Sequence, residues 1–165
     1  CVMNSAIKTA YYEWVSNNKI VNGWNITLTA KQVYNGTDGT SRLDENLLTR
    51  NFKHFRNKLN QSVYGNGYRR FGKELKMLVV QETSENNRLH IHCVIEHDDR
   101  LSEDKFDYLI RSIWSKTDFG YDQVHIEKPS DQLRQDGWLT YIMKRRTKKN
   151  YTDCLDLTNS SCLYL

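Results

Sequence analysis

The chain has 165 residues, 38% of them hydrophobic and 27% charged, with a single proline; this is the size and balance of one globular domain and excludes a disordered or low-complexity protein. Lys and Arg total 24 against 20 Asp and Glu, a net charge of +4, so polyanions are not repelled, and no run approaches the roughly 18 apolar residues of a membrane-spanning helix. The four cysteines, Cys1, Cys93, Cys154 and Cys162, show neither zinc-type CxxC spacing nor the density of a disulfide scaffold, and read as reduced thiols.

In chain order, Asn4 or Ser5 caps a first helix in which Ile7, Tyr11, Trp14 and Val15 recur at helical spacing. Trp24, Ile26 and Leu28 then alternate with Asn25, Thr27 and Thr29, the period-2 signature of a strand with two different faces. A Gly/Asn/Thr-rich loop is expected over 35–40. A long amphipathic helix follows through Leu47, Leu48, Phe52, Phe55, Leu59 and Val63, and a Gly/Tyr/Arg loop over 64–73 leads out of it. Residues 75–82 and 89–96 read as a β-hairpin with a loop of four or five residues. Ser102 caps the next helix, whose stripe is Phe106, Leu109, Ile110, Ile113 and Trp114, and Gly120 closes it. A strand over 122–127 precedes Pro129, after which Ser130 or Asp131 caps a last helix through Leu133, Trp138, Tyr141 and Ile142. Antiparallel strands interleaved with amphipathic helices predict an α+β fold, an open antiparallel sheet of four or five strands with helices on one face. The chain opens on Cys1 and is expected to be an excised domain.

The chemistry concentrates on two of these elements. Along 89–96, Leu89, Ile91, Cys93 and Ile95 share one face while His90, His92, Val94 and Glu96 share the other. Two imidazoles at i and i+2 stand side by side and suit joint capture of a divalent ion, and a carboxylate from the neighbouring strand would complete a two-His, one-acid site with open positions. Register chooses that carboxylate: a five-residue loop sets Glu82 opposite His90, whereas a four-residue loop puts Gln81 there, and Glu96 is a third possibility. On the last helix Tyr141 and Lys144 are three residues apart and share a face with Trp138. A phenol beside an ammonium suits a nucleophile and its charge stabiliser.

These residues resemble the HUH endonucleases, in particular the rolling-circle replication initiators of small plasmids, phages and single-stranded DNA viruses. The matching motifs are Asn25-Ile26-Thr27-Leu28-Thr29, His90-Ile91-His92 and Tyr141-Ile142-Met143-Lys144, in family order over about 24–150. The family's acidic residue eight positions before the first His corresponds to Glu82 and favours the five-residue loop. The resemblance implies a ferredoxin-like sheet over a single 1–165 HUH nicking and joining domain, with the active site on the face away from the helices. It implies Mg²⁺ or Mn²⁺ held by His90, His92 and Glu82. It also implies attack by Tyr141 on a scissile phosphate of origin single-stranded DNA to give a 5′-phosphotyrosine link, with Lys144 stabilising charge. The next tyrosine, Tyr151, lies beyond the basic run, so a single-tyrosine enzyme is expected. No GxxxxGK[ST] run occurs in the sequence, so a host or separate helicase and polymerase would be needed. A bacterial cytoplasm is the expected location, or a host nucleus if the source is a eukaryotic virus.

Phosphate contacts are expected from Arg145, Arg146, Lys148 and Lys149 beside the nucleophile and from Arg69, Arg70 and Lys73, with Tyr64, Tyr68 and Phe71 as candidates for base stacking. His54, His97 and His125 receive no role, and His125 reads as a structural histidine. A monomer is expected. Competing readings are a non-catalytic single-stranded nucleic-acid-binding module, an HUH relaxase or transposase, and an unrelated metal-dependent hydrolase.

Overall fold

The structure is a computed structural model that describes residues 20, 22–84, 86–128, 156 and 158–161. The expected first helix, the last helix and the residues it was to carry, Tyr141, Lys144, Arg145, Arg146, Lys148 and Lys149, lie outside the described residues, as do Tyr151 and the cysteines other than Cys93.

Within the described residues the chain runs β1 (Gly23–Ala30), β2 (Val33–Gly36), β3 (Gly39–Arg42), α1 (Glu45–Tyr64), α2 (Asn66–Phe71), β4 (Met77–Thr83), β5 (Leu89–Glu96), α3 (Glu103–Ser115) and β6 (Gly120–Glu127). Four strands form one antiparallel sheet in the order β4-β5-β1-β6. Each of the helices α1 and α3 connects two strands that have a third, antiparallel strand between them, which is the split βαβ arrangement of a ferredoxin-like sheet.

Local chemistry sets the helix starts. Asp44 accepts a hydrogen bond from Leu47 N at 2.7 Å and Ser102 accepts one from Lys105 N at 3.3 Å, each satisfying a first-turn N–H that has no helical partner. The apolar stripes then dock on one face of the sheet. Leu48, Phe52, Phe55 and Leu59 of α1 and Phe106, Ile110 and Trp114 of α3 are buried against Ile26, Leu28, Val79, Ile91, Cys93 and Ile95. Each such side chain contributes about 1.5–3 kcal/mol of burial free energy, so this layer supplies most of the drive to fold. Ring geometry adds direction: Phe55 meets Trp114 edge-on at 5.6 Å and Trp24 meets Phe106 edge-on at 5.0 Å.

Three expectations change. The loop expected over 35–40 is a hairpin, β2 paired to β3, whose Gly39 has φ of 118°. Its strands are largely exposed and lack apolar alternation, because the ladder is held by backbone pairing and by Tyr34 packing on Phe119 rather than by a buried face. The loop expected over 64–73 contains the short helix α2, bracketed by Gly65 and Gly72 at positive φ. Gly120 does not close α3, which ends at Ser115; it opens β6 and packs against the Trp114 carbonyl.

Two polar clusters tie the layers together at the far end of α1. Arg100 lies over the Tyr64 ring at 4.6 Å and pairs bidentately with Asp98 at 2.8 and 2.9 Å. Burial, and then the Asp98 carboxylate, push the Tyr64 hydroxyl up to about 12. His97 stacks on Trp24 and is satisfied at both ring nitrogens, by Asn22 at 3.2 Å and by the Leu101 carbonyl at 2.9 Å. At the outer edge of the sheet, residues 156–161 run beside β4: Asp156 N donates to Val79 O, Ser161 N donates to Met77 O, and the hydroxyls of Ser160 and Ser161 accept from Val79 N and Met77 N. The strand edge is thereby closed to pairing with another chain.

Candidate metal centre

The alternation of β5 does what its sequence predicts on the helix side, where Ile91, Cys93 and Ile95 are buried. The opposite face is not open along its length: Leu78, Val80 and Val94 lie on it and are buried too. The face expected to be bare is therefore covered at one end, since three apolar side chains there gain by leaving water. Only the end carrying Glu82, His90 and His92 remains partly accessible, with side-chain exposures of 29%, 19% and 21%.

The ladder between β4 and β5 pairs Glu82 with His90 and Thr83 with Leu89, which leaves a five-residue loop, 84–88. That loop is closed by Ser84 N to Arg88 O at 3.0 Å and by Asn87 at a φ of 56°. The same register turns Gln81 to the helix side, where its Nε2 donates to Glu45 O at 3.2 Å and Thr49 Oγ1 at 2.7 Å. Gln81 is thus excluded as the third group. Glu96, at the other end of β5 and paired with Gly23, does not belong to the cluster.

Glu82, His90 and His92 bring one ligand atom each to a common point. Nε2 of His90 lies 3.2 Å from Nε2 of His92, and Oε2 of Glu82 lies 3.3 Å and 2.8 Å from them. A cation about 2.1 Å from each of two ligands at right angles separates those ligands by about 3.0 Å. The three atoms are therefore spaced as one triangular face around a single small divalent ion, and two imidazoles with one carboxylate form a donor set suited to such an ion with positions left open. The other ring nitrogens point outward to protein groups: His92 Nδ1 is 3.0 Å from Thr27 Oγ1, and His90 Nδ1 is 3.4 Å from the Arg88 carbonyl.

β1 is the strand that shapes the neighbourhood. It is paired on both sides, so Thr27 sits between His92 of β5 and His125 of β6. A register shift between Leu28 and Ala30 disturbs the β1–β6 ladder, and there Thr29 Oγ1 donates to Gln123 O at 2.6 Å while the Thr29 carbonyl accepts from Trp114 Nε1 at 2.8 Å. His125 is not the satisfied structural histidine expected; it is 72% exposed on the cluster's face, 3.6 Å from Glu127. The histidine that fits that description is His97. Sequence reasoning also missed Gln32, whose side-chain amide bonds both the N–H and the carbonyl of Leu89 at 2.9 and 3.0 Å and so holds the start of β5 beside His90. A lone Gln before a hairpin gives no signal of that role.

The other expected DNA contacts sit elsewhere. Arg69 and Arg70 are exposed on α2, beyond the C-terminus of α1. The N-terminus of that helix is the end bonded to Gln81, next to Glu82. The 20 residues of α1 span about 30 Å, so these arginines and the cluster lie at opposite ends of the domain. Of the candidate stacking residues, Tyr64 is engaged by Asp98 and Arg100, Tyr68 donates to Asn57 Oδ1 at 2.7 Å, and Phe71 is 76% exposed.

Residues 23–150 match the family model for the ORF2 type of replication-associated protein. No curated protein and no solved structure matches the chain. Among the described residues no helix is long and apolar enough to cross a membrane.

Proposed function

We propose that this chain, which belongs to the ORF2-type replication-associated protein family, is an HUH endonuclease that nicks and rejoins single-stranded DNA at a replication origin and so initiates rolling-circle replication. The observation that carries this reading is the convergence of Glu82, His90 and His92 on one point at the accessible end of a sheet face. A merely solvated pair of histidines has no reason to share a carboxylate at these spacings.

Those three residues would hold Mg²⁺ or Mn²⁺, which when bound supplies Lewis-acid polarisation of a phosphoryl oxygen. Glu82 brings the negative charge that favours a cation over two protonated imidazoles. Tyr141 is the proposed nucleophile. Its phenolic oxygen attacks phosphorus, the bond from phosphorus to the 3′-oxygen breaks, the phenol loses its proton, and the departing oxygen gains one as a free 3′-hydroxyl. The phosphodiester energy is kept in the 5′-phosphotyrosine bond, so reversal rejoins DNA without another energy source. Lys144, one helical turn from Tyr141, would stabilise the phenolate and the charge that builds on the phosphoryl group. Arg145, Arg146, Lys148 and Lys149 would bind phosphates next to the scissile one, while Arg69 and Arg70 would engage DNA well away from it. Residues 1–165 would form one such domain, acting as a monomer with a separate helicase and polymerase.

The test is incubation of the parent and of Tyr141→Phe with a labelled origin oligonucleotide and Mn²⁺. A covalent protein–DNA adduct from the parent and none from the variant supports the reading. Cleavage that survives the substitution rejects Tyr141 as nucleophile, and binding without any cleavage by the parent favours a non-catalytic single-stranded DNA-binding module.

A further inference from the structure

The two histidines of the cluster are anchored by unlike groups. His90 Nδ1 faces the Arg88 carbonyl, which can only accept, so His90 carries its proton on Nδ1 and keeps a lone pair on Nε2. His92 Nδ1 faces a hydroxyl, Thr27 Oγ1, at 3.0 Å. A hydroxyl both donates and accepts, and it changes role by rotating about its own C–O bond.

We infer that Thr27 is the positioning residue of this centre, its hydroxyl serving His92 Nδ1 as donor in the cation-free protein and as acceptor when a divalent cation takes Nε2. The inference rests on the metal-site reading above. Without a cation, His92 Nε2 lies 2.8 Å from the Glu82 carboxylate and 3.2 Å from His90 Nε2, both of which accept. Its proton therefore belongs on Nε2, and Nδ1 takes a hydrogen bond from the Thr27 hydroxyl. A cation needs the Nε2 lone pair, so the proton must then sit on Nδ1 and be received by Thr27 Oγ1. A carbonyl at this place would fix one arrangement and an amide N–H the other; the hydroxyl holds the ring in the same orientation through both. The geometry is preorganised because Thr27 lies on a strand paired on both sides, directly across from His92, and a β-branched side chain has few rotamers.

Two variants and one spectroscopic measurement test this. Calorimetric titration with MnCl₂ should show Thr27→Val weakened by about 10- to 100-fold, the range for losing an outer-sphere partner of a ligating histidine, and Thr27→Ser close to the parent. Nitrogen-15 NMR of His92 in the parent should show the ring proton on Nε2 without cation and on Nδ1 with saturating Mg²⁺. Thr27→Val binding Mn²⁺ as tightly as the parent overturns the inference, as does a His92 ring that keeps one tautomer throughout. Glu82→Ala separates the two levels of argument. If the parent binds Mn²⁺, Glu82→Ala does not and Thr27→Val is unaffected, only the role of Thr27 is lost; if the parent takes up no Mn²⁺, the metal site itself is refuted.

Discussion

Glu82 stands directly across the β4–β5 ladder from His90, yet its Oε2 lies closer to His92 Nε2, at 2.8 Å, than to His90 Nε2, at 3.3 Å. The carboxylate leans along the strand to the diagonal partner, a reach typical of long side chains in an antiparallel pair. One acid thereby serves two imidazoles, and each prediction about the centre starts from that shared position.

Glu82→Gln should abolish Mn²⁺ uptake, with a loss beyond the about 100-fold ceiling of an outer-sphere change. Its effect on stability should stay within about 1 kcal/mol, because the ion pairs it breaks are partly solvated. Calorimetric titration and urea unfolding of the same variant check the two halves.

Gln81→Ala should do the reverse. Its amide bonds to Glu45 O and Thr49 Oγ1 hold the start of α1 to the sheet, and their loss should cost about 1–2 kcal/mol in urea unfolding. Mn²⁺ affinity should be unchanged, since this side chain lies on the opposite face from the cluster. A variant that keeps its stability but loses the metal would show that the strand register is wrong.

Acid should destabilise the protein partly through Asp98. The Arg100 guanidinium, and less strongly the Tyr64 hydroxyl, hold the Asp98 carboxyl well below the usual carboxylate range, against a smaller opposing effect of burial. A carboxyl depressed in the folded state stabilises it fully above the unfolded value of about 3.9 and loses that contribution as pH falls through the lower folded value. Asp98→Asn should therefore have a lower urea midpoint than the parent at pH 7, and the gap should narrow as pH falls below about 4. A gap that is constant with pH would remove Asp98 from the acid response.

Gly120→Ala should be among the most damaging small substitutions. A Cβ there would lie 1.7 Å from the Trp114 carbonyl oxygen and 2.6 Å from Thr117 Oγ1, so the backbone between α3 and β6 must move. Overpacking of this kind costs about 3 kcal/mol, read as a fall in urea midpoint.

Native Cys93 should resist iodoacetamide. Its thiol is 1% exposed on the helix side of β5, and burial raises it far above the usual thiol range, which suppresses the reactive thiolate. Peptide mapping should show modification of Cys93 only once urea has unfolded the chain. Rapid labelling under native conditions would contradict the packing of β5.

Local signals in the sequence determined a good deal here. The caps at Asp44 and Ser102, the apolar stripes of α1 and α3 and the strict alternation through Leu89, Ile91, Cys93 and Ile95 are properties of neighbouring residues, and they identified the main helices, the sheet strands and the face on which His90 and His92 would stand. The β2–β3 hairpin and α2 escaped because backbone pairing and bracketing glycines leave no apolar period to read. Alternation names a side chain's face but not its partner, since a slip of one residue exchanges Glu82 for Gln81 while leaving the pattern of each strand intact. Only the folded sheet decided that register, covered the far end of the histidine face through Leu78, Val80 and Val94, and set Thr27 against His92, 65 residues away in the chain. Those relations join distant segments, and their energies exist only when the chain has closed on itself.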